Sequence, residues 1–539
     1  MKRMVIYLWM GLWAGAMPAG AQQESLNIIP KPASVQLKKE TVKLNPVATV
    51  YVDQRQPIDT AYWDGVLKET GISAQWVAAP QKATISFRLN GGQPQAGDES
   101  YTLEIRNRGR VPEVRAQAGG GNGLLYALQT LRQLAQEQQA GEVRFPACFI
   151  SDKPAFPWRA FMLDESRNFH GKEMVKRVLD EMARLKLNTF HWHLVDDPAW
   201  RLEIKKYPLL TRIASRGNFG HMVHFQSAES RLDSLFLEPP AQFYFQKDIR
   251  EIIAYAHARG IKVIPEIEVP GHASASIFAY PWLGASSKVA GYPVHYDLYD
   301  VTDPKVEQFL HDVLDEVIAL FPDGIIHIGG DEADYRRWEG SKTINDFMKA
   351  HAIPTYADLQ VWAINRMSQY IASKGYRMIG WNEITGDNIR GDAHIKAGQS
   401  ERLAKGTLVQ FWDGDVQLVN KAIAQGYDVV NSNRHFTYLD YPYETTSLEK
   451  AYSFNPVPDG IAAADRQKIL GMGAQMWGEF TPTDERVYFQ TFPRIAALAE
   501  AGWMPQDVKR SYEDFRKRLV PIEKIWTDKG YILHQKGKY

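Results

Sequence analysis

The chain of 539 residues carries 63 basic and 63 acidic side chains, so its formal net charge is zero, and 45% of its residues are apolar against 23% charged. That balance excludes a long-range attraction for nucleic acid or an anionic membrane surface, and the ordinary globular composition excludes a disordered chain. The length is that of two to four domains.

The N-terminus reads as an export signal. Lys2 and Arg3 precede a mostly apolar run from Met4 to Trp13, and Ala19-Gly20-Ala21 offers small residues for cleavage ahead of Gln22. Gly15, Ala16 and Pro18 cut the apolar run short, so residues 1–21 are expected to be a cleaved signal peptide and no membrane anchor. The mature chain is then expected in the periplasm or outside the cell. Cys148 is the only cysteine, which excludes an internal disulfide and any multi-cysteine metal site and leaves a buried structural thiol. No later stretch approaches the roughly 20 uninterrupted apolar residues of a membrane span.

Residues 22–151 read as a small α/β accessory domain. Val35-Gln36-Leu37 and Tyr101–Ile105 alternate like strands, and Gly119-Gly120-Gly121 breaks the chain ahead of an amphipathic helix over Leu124–Leu134. Phe145-Pro146 and Asp152-Lys153-Pro154 are expected to bracket a linker.

Residues 152–539 change pattern to short apolar strands alternating with longer helices. The candidate strands are Ala160–Leu163, Thr189–His193, Lys262–Glu266, Gly324–Ile328, Arg377–Trp381, Leu408–Trp412, Asp428–Asn431 and Gly473–Trp477. Between them, Thr302-Asp303-Pro304 supplies a cap and a first-turn proline for a helix through Val306, Leu310, Val313, Leu314 and Val317. Asp415 opens another over Val416–Ile423, and Met174, Val178, Met182 and Leu185 mark the buried stripe of an earlier one. Eight parallel-strand candidates joined by helical crossovers predict a (β/α)₈ TIM barrel behind the accessory domain, with a helix at the C-terminus.

In such a barrel the functional face lies where strands run into their following loops. Here those positions are Asp164 and Arg167, Asp196 and Asp197, Glu268 and His272, and Asp331 and Glu332. They continue with Trp381 and Glu383, Trp412, Tyr438 and Asp440, and finally Trp477 and Glu479. Acids, an arginine and tryptophans around one mouth suit a carbohydrate, whose hydroxyls need hydrogen-bond partners and whose ring faces need stacking surfaces. In His327-Ile328-Gly329-Gly330-Asp331-Glu332, two glycines allow a tight turn that aims consecutive carboxylates at the same mouth. Strand alternation would otherwise separate them. Crowding is expected to raise the pKa of at least one, which keeps a general acid protonated near neutrality. An isolated acid pair would more often cap the next helix; among these other strand ends a reacting pair is the better reading.

These segments together resemble glycoside hydrolase family 20, the β-N-acetylhexosaminidases, over nearly the whole mature chain. The resemblance runs through Ile29-Pro30-Lys31-Pro32, Gly123–Leu131, Leu163–Arg167, Phe190–Asp197, Pro265–His272 and His327–Glu332. It implies exo-acting, substrate-assisted hydrolysis with retention, in which the sugar's own 2-acetamido oxygen attacks C1. Glu332 would be the general acid and base, and Asp331 would orient the acetamido group. Arg167 resembles the arginine that grips O3 and O4, Tyr438 the tyrosine on the acetamido oxygen, and Asp440 its polar neighbour. Trp381, Trp412 and Trp477 resemble the pocket walls, Glu479 a ligand of O4 or O6, and Asp196 and His272 supporting residues, His272 through a hydrogen bond to Glu332. Where many members carry Asp four residues before the histidine of Pro-Gly-His, this chain has Glu268. Residues 219–240 match no family pattern and are expected to shape the leaving-group side.

The resemblance implies an oligosaccharide or glycoconjugate substrate, no metal and no cofactor. A metal-dependent barrel hydrolase is the enzymatic alternative, because His191 and His193 alternate onto one strand face ahead of Asp196 and Asp197, with His272, His327 and Asp331 at later strand ends. Barrel-interior histidines with hydrogen-bond partners are the plainer account. A non-catalytic amino-sugar-binding protein is the alternative from another class. The choice between GlcNAc and GalNAc is open at this level.

Overall fold

The computed structural model describes residues 26–92, 95, 97–139, 141–219, 240–285, 298–386 and 403–534. The export signal expected at residues 1–21 lies outside them, as does most of the segment 219–240. Among the described residues, no helix is long and apolar enough to cross a membrane.

The N-terminal part is one mixed sheet of β1 (Ser34–Leu44), β2 (Val47–Val52), β3 (Ser73–Trp76), β4 (Ile85–Leu89), β5 (Tyr101–Arg108), β6 (Val111–Ala118), β7 (Gln136–Gln139) and β8 (Glu142–Asp152). Its order is β1-β8-β5-β6-β4-β2-β3, with β7 on β8. Helices Thr60–Glu69 and Gly121–Leu134 bury Trp63, Val66, Leu67, Leu124, Leu128 and Leu131 in its core. Cys148 is a free, buried thiol in this core, and burial pushes its pKa up to about 12. The linker expected between Phe145 and Pro154 is instead mostly strand. Pro146 pairs with Thr41 beside a shift in the β1–β8 register between Leu37 and Thr41, an irregularity that accommodates a residue with no N–H to donate.

The chain then closes into a barrel of eight parallel strands: β9 (Trp158–Asp164), β10 (Thr189–His193), β11 (Lys262–Glu266), β12 (Ile325–His327), β13 (Arg377–Trp381), β14 (Leu408–Phe411), β15 (Asp428–Asn431) and β16 (Ile469–Met476). β16 pairs with β9, Gly471 opposite Trp158 through Met476 opposite Leu163, and so completes the ring. The start signals act as the sequence implies. The Asp303 side chain accepts from the Lys305 N–H ahead of helix Pro304–Leu320, and Asp415 accepts from Gln417 ahead of Val416–Ala424. Each cap contributes about 1 kcal/mol.

Side chains alternate across a strand, so every second residue faces the barrel interior. The lower interior is apolar, built from Trp158, Ala160, Ile264, Ile325, Ile379, Leu408 and Val430. Two residues further along the strands the interior turns polar, with His191, Glu266, His327 and Gln410. Nearer the C-terminal ends lie Asp164, His193, Trp381 and Trp412. Chemistry is therefore concentrated at one end of the barrel, and the accessory domain attaches at the other. There Arg159, near the start of β9, is paired with Glu99 of the sheet domain at 2.8 Å.

Candidate active site

β12 ends at His327, and the backbone turns sharply through Gly329 (φ 64°) and Gly330 (φ 94°) before Asp331 and Glu332. A side chain at Gly329 would be strained at its positive φ, and its Cβ, 1.6 Å from Glu268 Oε2, would displace the Glu268 carboxyl. Glu332 itself sits at φ 46°, a left-handed conformation costly for a residue with a side chain and retained mainly at functional sites. Asp331 is 7% exposed, whereas Glu332 faces solvent. The pair does not cap a helix: the next one, Arg336–Glu339, begins after Tyr335.

A network of buried charges runs behind the pair. His272, from the loop after β11, reaches Asp331 Oδ2 at 3.7 Å through Nε2 and Asp196 Oδ1 at 3.1 Å through Nδ1. The carboxylates of Asp331 and Glu332 and the His272 ring all offer atoms within 4.8 Å of one another. Asp196 Oδ2 lies 2.7 Å from Arg167 Nη1 and 2.9 Å from His193 Nε2, and His193 Nδ1 meets Glu266 Oε2 at 2.5 Å. Burial opposes charge at Asp196, but Arg167 and His272 together hold its carboxyl well below the usual range. Burial works against the His272 imidazolium as well, and Asp196, with hydrogen bonds to Asp197 and Asp331, holds its pKa well above the ordinary value.

Arg167 is fixed from beneath. Asp164 Oδ1 accepts the Arg167 N–H at 3.1 Å, while Oδ2 accepts both Arg167 Nη1 at 3.1 Å and the Gly478 N–H at 2.9 Å. This ties the loops after β9 and β16 together and stands Glu479 Oε1 3.8 Å from Arg167 Nη2. The Arg167 guanidinium also lies 5.1 Å from the Trp477 ring centroid.

The other half of the mouth is aromatic. Trp381, Trp412 and Tyr438 form one cluster with Met162, against which Trp477 and Tyr441 pack. Trp412 lies flat against Tyr438 (centroids 6.0 Å apart, planes 13°), and Trp477 lies 5.8 Å from Trp381 and 5.9 Å from Tyr438. The Trp381 indole N–H donates to Glu266 Oε1 at 2.8 Å. Burial, then the neighbouring Asp331 charge, pushes the Tyr438 phenol well above its ordinary pKa, so it stays a neutral donor.

Among the described residues, three buried carboxylate oxygens of this mouth have no hydrogen-bond partner: Asp331 Oδ1, Asp440 Oδ1 and Glu479 Oε2. Buried polar atoms are rarely left so. Three from different strand ends around one opening mark where a hydroxyl-rich ligand supplies the missing bonds. The strand-end residues singled out from the sequence therefore lie at one mouth, while His191 and His327 lie in the barrel interior beneath it. The sequence reading gave no specific role to Asp164 and Glu266 and took His193 as a barrel-interior histidine or a metal ligand; the three organise the site from below. Glu268 and Glu383 also went without one; burial and then the Asp331 charge push both carboxyls well up.

Histidines and acids also group as His191–Glu266–His327 and His193–Asp196–Glu268, with ligand atoms within 4.8 Å. In the first, Glu266 lies 2.8 Å from His191 Nε2 and 2.9 Å from His327 Nδ1 while also accepting from Trp381. That places one carboxylate among two imidazoles and an indole; His327 Nδ1 accepts the Gly329 N–H at 3.0 Å, and His327 Nε2 has no hydrogen-bond partner among the described residues.

A parallel barrel with two carboxylates, an arginine and an aromatic chamber at its C-terminal mouth has the form of a glycoside hydrolase. The family model for the glycosyl hydrolase family 20 catalytic domain matches residues 156–506, and that for domain 2 of the same family matches residues 25–153. The chain belongs to glycosyl hydrolase family 20. It is 32% identical to a beta-hexosaminidase of Porphyromonas gingivalis over 522 residues, covering 92% of this chain and 62% of that one. To a beta-hexosaminidase of Vibrio furnissii it is also 32% identical, covering 89% of this chain and 76% of the relative. The crystal structure of a family 20 exo beta-N-acetylglucosaminidase from Vibrio harveyi, in complex with N-acetylglucosamine, superposes with a TM-score of 0.81 at 28% identity. That match covers 95% of this chain and 79% of the other.

Proposed function

We propose that the protein is an exo-acting, retaining β-N-acetylhexosaminidase that removes terminal β-linked GlcNAc or GalNAc from glycans or chitooligosaccharides. The observation that carries this reading is the turned end of β12, where Asp331 is enclosed with Oδ1 unpartnered among the described residues while adjacent Glu332 is open to solvent. Adjacent carboxylates on one turn fit the substrate-assisted route of this family better than a pair placed on opposite sides of C1. The nucleophile then comes from the substrate.

In the first step Glu332 gives its proton to the glycosidic oxygen. The C1–O bond breaks with its electrons going to the leaving hydroxyl, and the 2-acetamido oxygen closes on C1 as an oxazolinium. Asp331 accepts the acetamido N–H and offsets the positive charge that develops, an effect strengthened by the enclosed site. In the second step the Glu332 carboxylate takes a proton from water. The water oxygen bonds to C1 as the acetamido oxygen leaves, so two inversions return the β configuration. Tyr438 donates to the acetamido oxygen, Trp381, Trp412 and Trp477 enclose its methyl group and the sugar face, and Arg167, Asp440 and Glu479 hold the remaining hydroxyls. Asp196 fixes His272, which in turn sets the position of the acid pair. The N-terminal export signal supports a site of action in the periplasm or outside the cell.

The test is release of 4-nitrophenol from its N-acetyl-β-glucosaminide and from its plain β-glucoside. The reading expects turnover of the acetamido sugar alone, with no effect of EDTA. Equal turnover of the glucoside would remove substrate assistance. Binding of the acetamido sugar without turnover would favour a sugar-binding protein.

A further inference from the structure

β13 ends at Trp381, and the next four residues, Asn382–Thr385, form a single 3₁₀ turn. The first two of them reach across to the neighbouring strand end and hold one residue there at two points. The Trp412 backbone N–H donates to Asn382 Oδ1 at 3.0 Å. The Trp412 indole N–H donates into the fork of the Glu383 carboxyl, 3.1 Å from Oε1 and 3.0 Å from Oε2. Asn382 and Glu383 are each 2% exposed and Trp412 4%, so all three are ordered within the protein.

The consequence lies in the shape of the chamber. Trp412 is stacked on Tyr438, and Tyr438 packs on Trp477, so the plane of one indole sets the width of the whole aromatic wall. A buried indole N–H without an acceptor is costly and would turn the ring to find one. We propose that Glu383, seconded by Asn382, is a specificity-determining positioning residue: it locks the Trp412 ring so that the chamber admits an N-acetyl group and excludes larger N-acyl groups. The proposal rests on the acetamido reading above. Glu383 acts as an acceptor and not as a charge. Burial and the Asp331 and Glu332 carboxylates that face it keep the neutral form favoured, so a glutamine oxygen should serve as well.

The experiment compares wild type, Glu383→Ala and Glu383→Gln on 4-nitrophenyl glucosaminides bearing N-acetyl and N-propionyl groups. One extra methylene in a shaped apolar pocket is worth roughly 10–200-fold in kcat/KM, and the wild type should show a preference of that order. The alanine variant should reduce it to a few-fold, with the loss on the acetyl substrate expressed mainly in KM, and the glutamine variant should restore it. A folded alanine variant that keeps the full wild-type preference overturns the proposal, as does a glutamine variant as permissive as alanine. If Glu383→Ala does not fold, Asn382→Ala removes the second anchor, and an unchanged preference there overturns it equally. A wild type that also turns over the plain glucoside removes the acetamido reading itself. A preserved acetamido requirement with unchanged N-acyl preference in the variants removes only this proposal.

Discussion

The two ends of the barrel bury charge in opposite ways. At the lower end each buried charge is matched. Arg159 meets Glu99 and the Tyr126 hydroxyl, and Lys186, fully enclosed, contacts Asp152 at 3.3 Å and the Tyr101 hydroxyl at 2.8 Å. Lys186 also lies over the Trp503 ring at 4.5 Å. At the upper end Asp331, Asp440 and Glu479 keep carboxylate oxygens that no described residue satisfies. Matched charges join the accessory domain to the barrel; unmatched ones wait for a ligand. The accessory domain therefore packs on the barrel at the end opposite the mouth.

That contrast predicts that upper-end substitutions cost activity and lower-end substitutions cost stability. The largest effect belongs to Glu332→Gln, which should lower kcat on chitobiose by roughly 10²–10⁴-fold with little change in melting temperature. An activated phenyl leaving group needs less protonation and should show a smaller loss. Arg167→Ala removes a charged donor from the sugar hydroxyls and should lower kcat/KM by about 10–100-fold, consistent with about 1.5–3 kcal/mol for such bonds. At the lower end, Lys186→Met leaves Asp152 without its cation and should destabilise by about 3–5 kcal/mol in urea unfolding, with kcat/KM at 25 °C near wild type. A large loss of activity in that folded variant would break the division.

A third buried carboxylate gives the pH test. Glu181 pairs with Arg184 and Lys529 at 2.8 Å each. Burial alone would raise its pKa, but these cations hold it at about 2. A lowered folded-state pKa stabilises fully above the unfolded value of 4.5, and that stability is lost as pH falls through about 2. Urea midpoints of Glu181→Gln should therefore fall less steeply than those of wild type between those two pH values. Smallest of all, Asp303→Ala should cost about 1 kcal/mol through its cap and leave kinetics untouched.

The barrel was legible because its strands are short, apolar and regularly spaced: Thr189–His193, Lys262–Glu266, Arg377–Trp381 and Asp428–Asn431 coincide with β10, β11, β13 and β15. β16 begins earlier than its sequence suggests, at Ile469. Gly471, ahead of the expected start at Gly473, lies opposite Trp158, where a Cβ would sit 1.9 Å from the Trp158 carbonyl oxygen. Pro146 misled for a related reason, since the register shift that accommodates it involves β1, distant in sequence. At the mouth, residue type and strand-end position predicted that Asp331, Glu332 and Arg167 would share one opening, and they do. The parts played by Glu266, His193 and Glu383 come from contacts between strands 29 to 115 residues apart, which no local pattern encodes.

Substrate assistance is the central claim, and it is tested most directly by successive fluorination of the substrate's N-acetyl group. Each fluorine makes the acetamido oxygen a weaker nucleophile while leaving the glycosidic bond unchanged. If that oxygen attacks C1, kcat/KM must fall steadily from acetyl through mono-, di- and trifluoroacetyl. A flat series would mean that another nucleophile forms the bond to C1. Asp331 would then have no acetamido group to orient, and Glu332 would not be the acid of a substrate-assisted reaction.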